Sequence, residues 1–146
     1  MEIITATLDQ LDDLAPLFDA YRVFYGQASD MGRAQTFLRE RMHLQESVVF
    51  LAYAHSRPVG FTQLYPSFSS VSTQRLWVLN DLYVVPEMRG QRVGERLIER
   101  AARFATEFGA KGLSLSTAIT NTSGQKLYER VGFKRDEEFY HYFLKT

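Results

Sequence analysis

The stretch from Arg75 to Phe108 constrains the fold of this chain more than any other. It opens with a strand-like run, Arg75 to Val85, that stops at Pro86, whose missing N–H cannot serve a strand ladder. A helix pattern follows, with Val93, Leu97, Ala101, Phe104, Ala105 and Phe108 on one stripe. Glu95, Arg96, Glu99, Arg100 and Arg103 hold its opposite face, and Gly109 is a natural stop. Leu113-Ser114-Leu115-Ser116 then alternates as a strand. Strand, helix and strand in this order form a right-handed parallel crossover. The turn entering the helix therefore lies at a strand's carboxyl end, where such sheets bind ligands.

That turn, Pro86-Glu87-Met88-Arg89-Gly90-Gln91-Arg92-Val93-Gly94, carries two glycines. Glycine lets the backbone curl until several N–H groups face one hollow, and the first helical turn adds unpaired donors and a positive dipole end. A diphosphate suits such a hollow. No Gly-Lys-Ser/Thr follows, so the turn is not a Walker A loop, and the spacing of a dinucleotide fingerprint is missing.

Around this unit the pattern is mixed. Ile3 to Ala6 reads as a first strand, with Asp9 as the cap of a helix that carries Leu11, Leu14, Ala15, Leu17, Phe18, Tyr21, Phe24 and Tyr25. A second helix is expected over approximately Arg33 to Glu46, opened by Ser29 or Asp30. Val48 to Ala54 and Val59 to Tyr65 read as antiparallel partners across the turn His55 to Pro58, with Pro66 to Thr73 as a loop or a frayed strand end. Thr122 or Ser123 opens a short helix to Val131, closed by Gly132, and Phe133 to Arg135 and Phe139 to Leu144 read as terminal strands.

At 146 residues, 45% hydrophobic and 23% charged, the chain suits one domain spanning 1–146. Seventeen basic and seventeen acidic residues cancel, so no net field draws nucleic acid or an anionic membrane. No apolar run approaches the ~18 residues of a bilayer crossing, and Met1-Glu2-Ile3 does not open a secretory signal, so a cytoplasmic protein is expected. With no cysteine there is no thiol nucleophile and no thiolate metal site. His43, His55 and His141 form no serine-histidine arrangement near the turn, and no metal is expected.

The run Leu79 to Gly94 resembles the acetyl-CoA motif of the GNAT acetyltransferase superfamily, Arg/Gln-x-x-Gly-x-Gly/Ala, with Arg89 and Gly94 at its first and last positions. Arg92 stands where the family usually has glycine. Downstream, Thr117 to Phe133 is similar to the second hallmark: an asparagine, Asn121, a short helix carrying Leu127-Tyr128-Glu129, and a closing Gly132-Phe133, with Gly124 in place of the more usual alanine. The resemblance implies a mixed α/β, three-layer GNAT fold with a central sheet of six or seven strands and about four helices. It implies an N-acetyltransferase that moves the acetyl group of acetyl-CoA to a small-molecule or amino-acid-like amine by direct attack in a ternary complex. Acetylation of a protein lysine or N-terminus, or a non-catalytic acyl-CoA-binding module, are the alternatives, and a homodimer fits the family.

Residue by residue, the resemblance places Leu82, Tyr83, Val84, Val85, Arg89, Gly90, Gln91, Arg92, Val93, Gly94, Glu95, Asn121 and Tyr128 at the cosubstrate. The oxyanion donor is expected among the backbone N–H groups of Leu82 to Val84, at a bulge. Tyr128 is the expected proton donor to the departing thiolate, against the plainer reading of a packing aromatic. Asn121 meets the pantetheine arm, against the plainer reading of a helix-entry cap. Asp81 is the candidate base, beside Asn80 where related polyamine enzymes carry Glu-Asp. Tyr21, Phe24, Tyr25, Gln63, Tyr65 and Asn80, joined by Tyr142, are the candidate acceptor contacts.

Overall fold

In the structure, a computed structural model that describes residues 1–146, one sheet runs in the order β1-β2-β3-β4-β5. The strands are β1 (Glu2–Thr5), β2 (Val48–Ala54), β3 (Arg57–Ser69), β4 (Gln74–Val84) and β5 (Leu113–Ser114). The helices are α1 (Leu11–Phe24), α2 (Met31–His43), α3 (Val93–Glu107) and α4 (Thr122–Val131). β1 to β4 are antiparallel in sequence order, and β5 returns parallel to β4 through α3, as the crossover pattern requires. The chain forms two compact units, Met1–Ser116 and Thr117–Thr146.

The first unit has three layers. Val49 and Leu51 of β2 join Leu14, Phe18, Leu38 and Phe61 in a buried cluster under α1 and α2, while Phe50, between them, sets its ring against Phe104 of α3 at 5.6 Å. Alternation along one strand thus feeds both faces, which is why β2 reads as an unbroken apolar run. On α3 the buried side chains are Val93, Leu97, Ile98, Ala101 and Ala105, whereas Phe108, expected on the stripe, is 64% exposed just before the left-handed Gly109.

Several boundaries differ from the sequence reading. Thr7, not Asp9, opens the first helical segment: its side chain accepts from Asp9 N, and Gln10 Oε1 accepts from Thr7 N at 2.8 Å, a capping box. β3 extends to Ser69 through Pro66, so the serine-rich segment is strand in its first half, as the frayed-strand-end reading allowed, and turn over 70–73. The hairpin between β2 and β3 turns on His55 and Ser56 at φ 52° and 62°, the signature of a type I′ turn built without glycine.

The sheet has five strands instead of six or seven, because residues 133–146 form neither helix nor strand. Phe139, Tyr140, Tyr142, Phe143 and Leu144 are 71% to 92% exposed, and the segment expected as the last strand joins no ladder. A strand pattern becomes a strand only where a neighbour takes up its backbone groups.

Asp19 organises the entry to α2. Buried on α1, it accepts from Ser29 Oγ at 2.6 Å and from the backbone N–H of Asp30 at 2.8 Å, and Asp30 then caps α2 by accepting from Arg33 N at 3.0 Å. The Ser29 hydrogen bond, ahead of the Asp30 N–H, holds the Asp19 carboxyl below its ordinary 3.8. A lowered carboxylate stabilises the fold fully above the unfolded value, and this contribution fades as pH falls through the lowered folded one. Asp19→Ala should therefore cost about 1–3 kcal/mol at pH 7 in denaturant melts, and clearly less near pH 2. Equal losses at both pH values would contradict this role.

Candidate active site

One extra residue in β4 builds the centre of the site. Gln63 pairs with Asp81, but the next β3 residue, Leu64, pairs with Leu79, so Asn80 is skipped by the ladder. Residues two apart on a strand share a face, and a bulge breaks that rule. Cross-strand neighbours show the result. Asp81 and Tyr83 lie opposite Gln63 and Phe61 on the α1 face, while Leu79 and Trp77 lie opposite Leu64 and Pro66, and Trp77 sets its ring 5.0 Å from Phe104 of α3. The bulge sits just before the stretch Leu82 to Val84 where it was expected, and what it turns is Asp81.

Asp81 is 3% exposed. Its Oδ2 accepts from Gln63 Nε2 at 2.5 Å and its Oδ1 from Asn80 Nδ2 at 2.8 Å, while its backbone carbonyl accepts from Thr62 Oγ1 at 2.8 Å. Burial raises the carboxyl above its ordinary value, and the hydrogen bonds from Gln63 and Asn80, with the nearby Tyr21 hydroxyl, offset part of that rise. The phenols of Tyr21 and Tyr65 are pushed up as well, first by burial and then by the charge of Asp81. Gln63 Oε1 is buried without a partner, an acceptor left open beside the carboxyl.

The turn after β4 shows how its residues are used. Pro86–Met88 makes a 3-10 turn, then Gly90 at φ 76° and Arg92 at φ 67° take left-handed conformations, and Arg92 leads directly into α3. No side chain caps α3. Left-handed residues ahead of an uncapped helix start are a backbone arrangement by which turns of this kind receive an anion. The glycine usual at position 92 now has a physical reason, since an L-residue there carries a left-handed backbone. The Arg92 guanidinium forms a two-point pair with Glu95, at 3.0 and 3.1 Å. Arg89 is also engaged: Nε donates to the Val84 carbonyl at 2.9 Å, and the guanidinium lies 5.5 Å from the Phe24 ring and 5.6 Å from that of Tyr83. Arg57 pairs with Glu87 and ties the β2–β3 hairpin to this turn.

Beside the turn, β4 pairs with β5 only at Trp77 and Val78, so Leu79 to Val84 have no strand on that side within the first unit. An open strand edge offers backbone N–H and C=O groups to an extended ligand.

In the second unit, Asn121 caps α4, accepting from Gly124 N at 3.2 Å and donating through Nδ2 to Thr117 Oγ1 at 3.0 Å. Gly124 is what permits this, because a Cβ there would stand 2.4 Å from Asn121 Nδ2 and 2.9 Å from its Cγ. The departure from alanine at 124 and the cap at 121 are one feature. Tyr128 sets its ring 6.0 Å from that of Phe133, edge to face.

The structure thus gathers Tyr21, Gln63, Tyr65, Asn80 and Asp81 around one carboxyl. Tyr25, half-exposed, packs its ring edge to face against Tyr21 at 5.0 Å, and Phe24, more exposed, lies at Arg89. Tyr142 is 92% exposed. Two supporting residues escaped the sequence reading. Thr62 is one. Gly60 is the other: a Cβ there would meet the Tyr83 carbonyl at 2.8 Å and Val93 Cγ1 at 3.4 Å, so its bareness lets α3 start close over the sheet. A glycine inside an otherwise apolar strand was the available signal. A hollow of about 1020 Å³, lined by Leu8, Met42, Trp77, Phe104 and Phe108 among others, lies around the starts of β2 and β4, away from Asp81 and the turn.

Comparison with known proteins gives this geometry a context. The profile of the Acetyltransferase (GNAT) family matches residues 12–133. The uncharacterized N-acetyltransferase YhfO of Bacillus subtilis is 45% identical over 146 residues, covering 100% of this chain and 98% of its own. The aminoalkylphosphonate N-acetyltransferase of Salmonella typhimurium is 30% identical over 109 residues, covering 75% and 68%. A crystal structure described as "a probable acetyltransferase" superposes with a TM-score of 0.96 at 47% identity, covering 100% of this chain and 98% of the other.

The left-handed Arg92 makes a direct test of the turn. Arg92→Gly and Arg92→Ala both remove the pair with Glu95, but only glycine relieves the backbone. Glycine should be the more stable of the two variants by about 1 kcal/mol in chemical denaturation. Equal stabilities would mean that position 92 does not hold a left-handed backbone in solution.

Proposed function

Because the chain belongs to the Acetyltransferase (GNAT) family, whose members use acetyl-CoA, we propose that it moves the acetyl group of acetyl-CoA to a primary amine of a small molecule or amino-acid-like acceptor. Residues 1–146 act in this reading as one acetyltransferase domain, a view supported by a family match that runs across both compact units. The aminoalkylphosphonate acceptor named for the Salmonella relative supports the small-amine class.

The observation that carries the proposal is the buried Asp81 carboxyl with an open acceptor, Gln63 Oε1, beside it. An alkyl amine with a pKa near ~10.4 arrives protonated, and freeing its lone pair costs roughly 4–5 kcal/mol at pH 7. Asp81 receives that proton, in a pocket whose burial has already raised its affinity for one. Gln63 Oε1 accepts an N–H of the acceptor, and Tyr21 and Tyr65 close the apolar side. The turn from Arg89 to Glu95 holds the diphosphate through its backbone, and the edge of β4 from Leu82 to Val85 lies along the pantetheine arm. Acetyl-CoA supplies the thioester. The amine lone pair forms the C–N bond, the C–S bond breaks, and the sulfur leaves with the electron pair and takes a proton from Tyr128, while the new amide nitrogen gives up its extra proton to solvent, which reprotonates the Tyr128 phenolate. Backbone N–H groups of Leu82 to Val84 serve the carbonyl oxygen as it gains charge.

Release of free CoA thiol, followed with acetyl-CoA and a panel of small amines, tests the reading. Asp81→Asn should lower kcat/KM by about 10²–10⁴ while leaving acetyl-CoA affinity intact. The same variant carries a stability signature. A raised carboxyl stabilises the fold below its unfolded value of 3.8 and loses this contribution as pH rises through the folded one. Asp81→Asn should therefore gain stability relative to wild type between pH 3 and pH 7. Full activity in Asp81→Asn would remove it as the base.

The cosubstrate half is tested separately. Gly94→Glu, which sets a carboxylate at the start of α3, should weaken acetyl-CoA binding in calorimetry, and Tyr128→Phe should slow thiol release without weakening it. Unchanged affinity in Gly94→Glu would refute the placement of the diphosphate.

A further inference from the structure

We propose that the hollow between the start of β2, the start of β4 and the end of α3 is a second small-molecule site, one that takes an aromatic carboxylate. Every residue lining it belongs to the unit Met1–Ser116, and the proposal does not rest on the acetyltransferase reading.

Topology brings these ends together. β2 and β4 run the same way, each antiparallel to β3, and the crossover helix α3 returns against them, so its last turns arrive where the two strands begin. At about 1020 Å³ the hollow stands at the upper end of the range for small-molecule sites. One side of it is aromatic. Trp77, Phe104 and Phe108 follow one another with 5.0 Å and then 4.7 Å between ring centres. Phe108 is 64% exposed although the period of α3 assigns it to the buried stripe, and Leu8, across the hollow, is 45% exposed. Large apolar side chains left uncovered around one concavity are what an apolar ligand covers.

Two polar groups of the lining lack partners. Trp77 is 7% exposed, and its indole N–H is buried without a hydrogen bond. Ser47 Oγ, just ahead of β2, is buried and unpartnered too. Buried polar groups in this state are rare because they are costly. An indole N–H can only donate, so whatever completes it is an acceptor. Arg75 sets the charge of that acceptor. Its guanidinium lies 5.6 Å from the Trp77 ring and 5.0 Å from that of Phe68, and no carboxylate pairs with it. The one acidic residue of the lining, Asp9, is exposed on the 3-10 turn that follows β1. A ligand carboxylate therefore belongs on the Arg75 side, beside the indole N–H, with its ring against Phe104 and Phe108.

The hollow is separate from the site around Asp81. Trp77 and Asp81 are four residues apart on β4, about 13 Å along a strand, and the bulge at Asn80 turns them to opposite faces. Phe108 ends α3 and the Arg89–Glu95 turn begins it, about 20 Å away along the helix axis.

Trp77 is the only tryptophan of the chain, so its emission and its indole N–H resonance both report on the hollow. Titration of the whole chain with 4-phenylbutyrate, which has no amine to acetylate, should change the emission saturably below about 1 mM and move the resonance. Phe108→Glu, at an exposed position, should abolish both changes, and Arg75→Gln should weaken binding about tenfold. The uncharged match, 4-phenylbutyramide, should bind wild type more weakly and be indifferent to Arg75→Gln. Saturating acetyl-CoA should leave the affinity for 4-phenylbutyrate unchanged. A wild type without a saturable change overturns the proposal. Binding that survives Phe108→Glu, or that acetyl-CoA displaces, overturns it as well, because the probe then sits elsewhere. Equal affinity for acid and amide, or full affinity in Arg75→Gln, overturns the carboxylate, and an unmoved indole resonance overturns the donor. None of these readouts uses thiol release, so a failure of the acetyltransferase reading leaves them standing.

Discussion

The extra residue in β4 is the constraint on which the site depends. Without Asn80 out of register, Leu79 and Asp81 would share a face, and the carboxyl would point into the apolar layer under α3. With it, the strand serves two functions in succession: Trp77 and Leu79 fill the α3 layer, and Asp81 and Tyr83 then turn to α1. Thr62, Gln63 and Tyr21 are placed to fix that change of face, through bonds to the Asp81 carbonyl, the Asp81 carboxylate and the Asn80 carbonyl respectively. A bulge that was only an irregularity would not be held by three side chains from two other elements. The cost of burying a carboxyl is kept bearable by the same bonds, and what remains of it is the raised proton affinity that a base needs.

The turn after β4 shows a different balance. Arg89 and Arg92, the two cations of the turn, are both engaged within the protein, one against a carbonyl and two rings and the other against Glu95. In the proposed reading the backbone, not these guanidinium groups, is the binding surface, and such a surface would recognise the shape and charge of a diphosphate, leaving the nucleotide base to other contacts.

How much of this was legible in the sequence depended on how local its cause was. The crossover of Arg75 to Ser116, the caps at Gly109 and Gly132, and the helix over Thr122–Val131 follow from periodicity and turn chemistry, and they hold. The bulge at Asn80 could not be read, because it is defined by a partner strand, and Asp81 looks the same in sequence on either face. Thr7 was overlooked because a single short turn separates it from the helix proper. The terminal strands were overestimated for the opposite reason: Phe139 to Leu144 carry the pattern, but pattern specifies a strand only when an edge is available. Of the residues named as acceptor contacts, Tyr21, Gln63, Tyr65 and Asn80 gather at Asp81, Tyr25 packs its ring edge to face against Tyr21, and Phe24 lies against Arg89.

Gly124 and Asn121 illustrate how two positions can become a single inherited unit. The asparagine can fold back over the start of α4 only because nothing projects from residue 124, and the glycine, a poor helix former, is tolerable only because the asparagine supplies the missing cap. Either change alone meets a barrier: a methyl group at 124 evicts the amide, and loss of the amide leaves a glycine weakening the helix with nothing in return. A lineage moving between this arrangement and one with alanine must re-seat the asparagine in the same step, which frees its amide to face outward. The glycine therefore records how the amide of Asn121 is occupied, and a comparison of related chains at this one small residue would sort those that cap α4 in this way from those that do not.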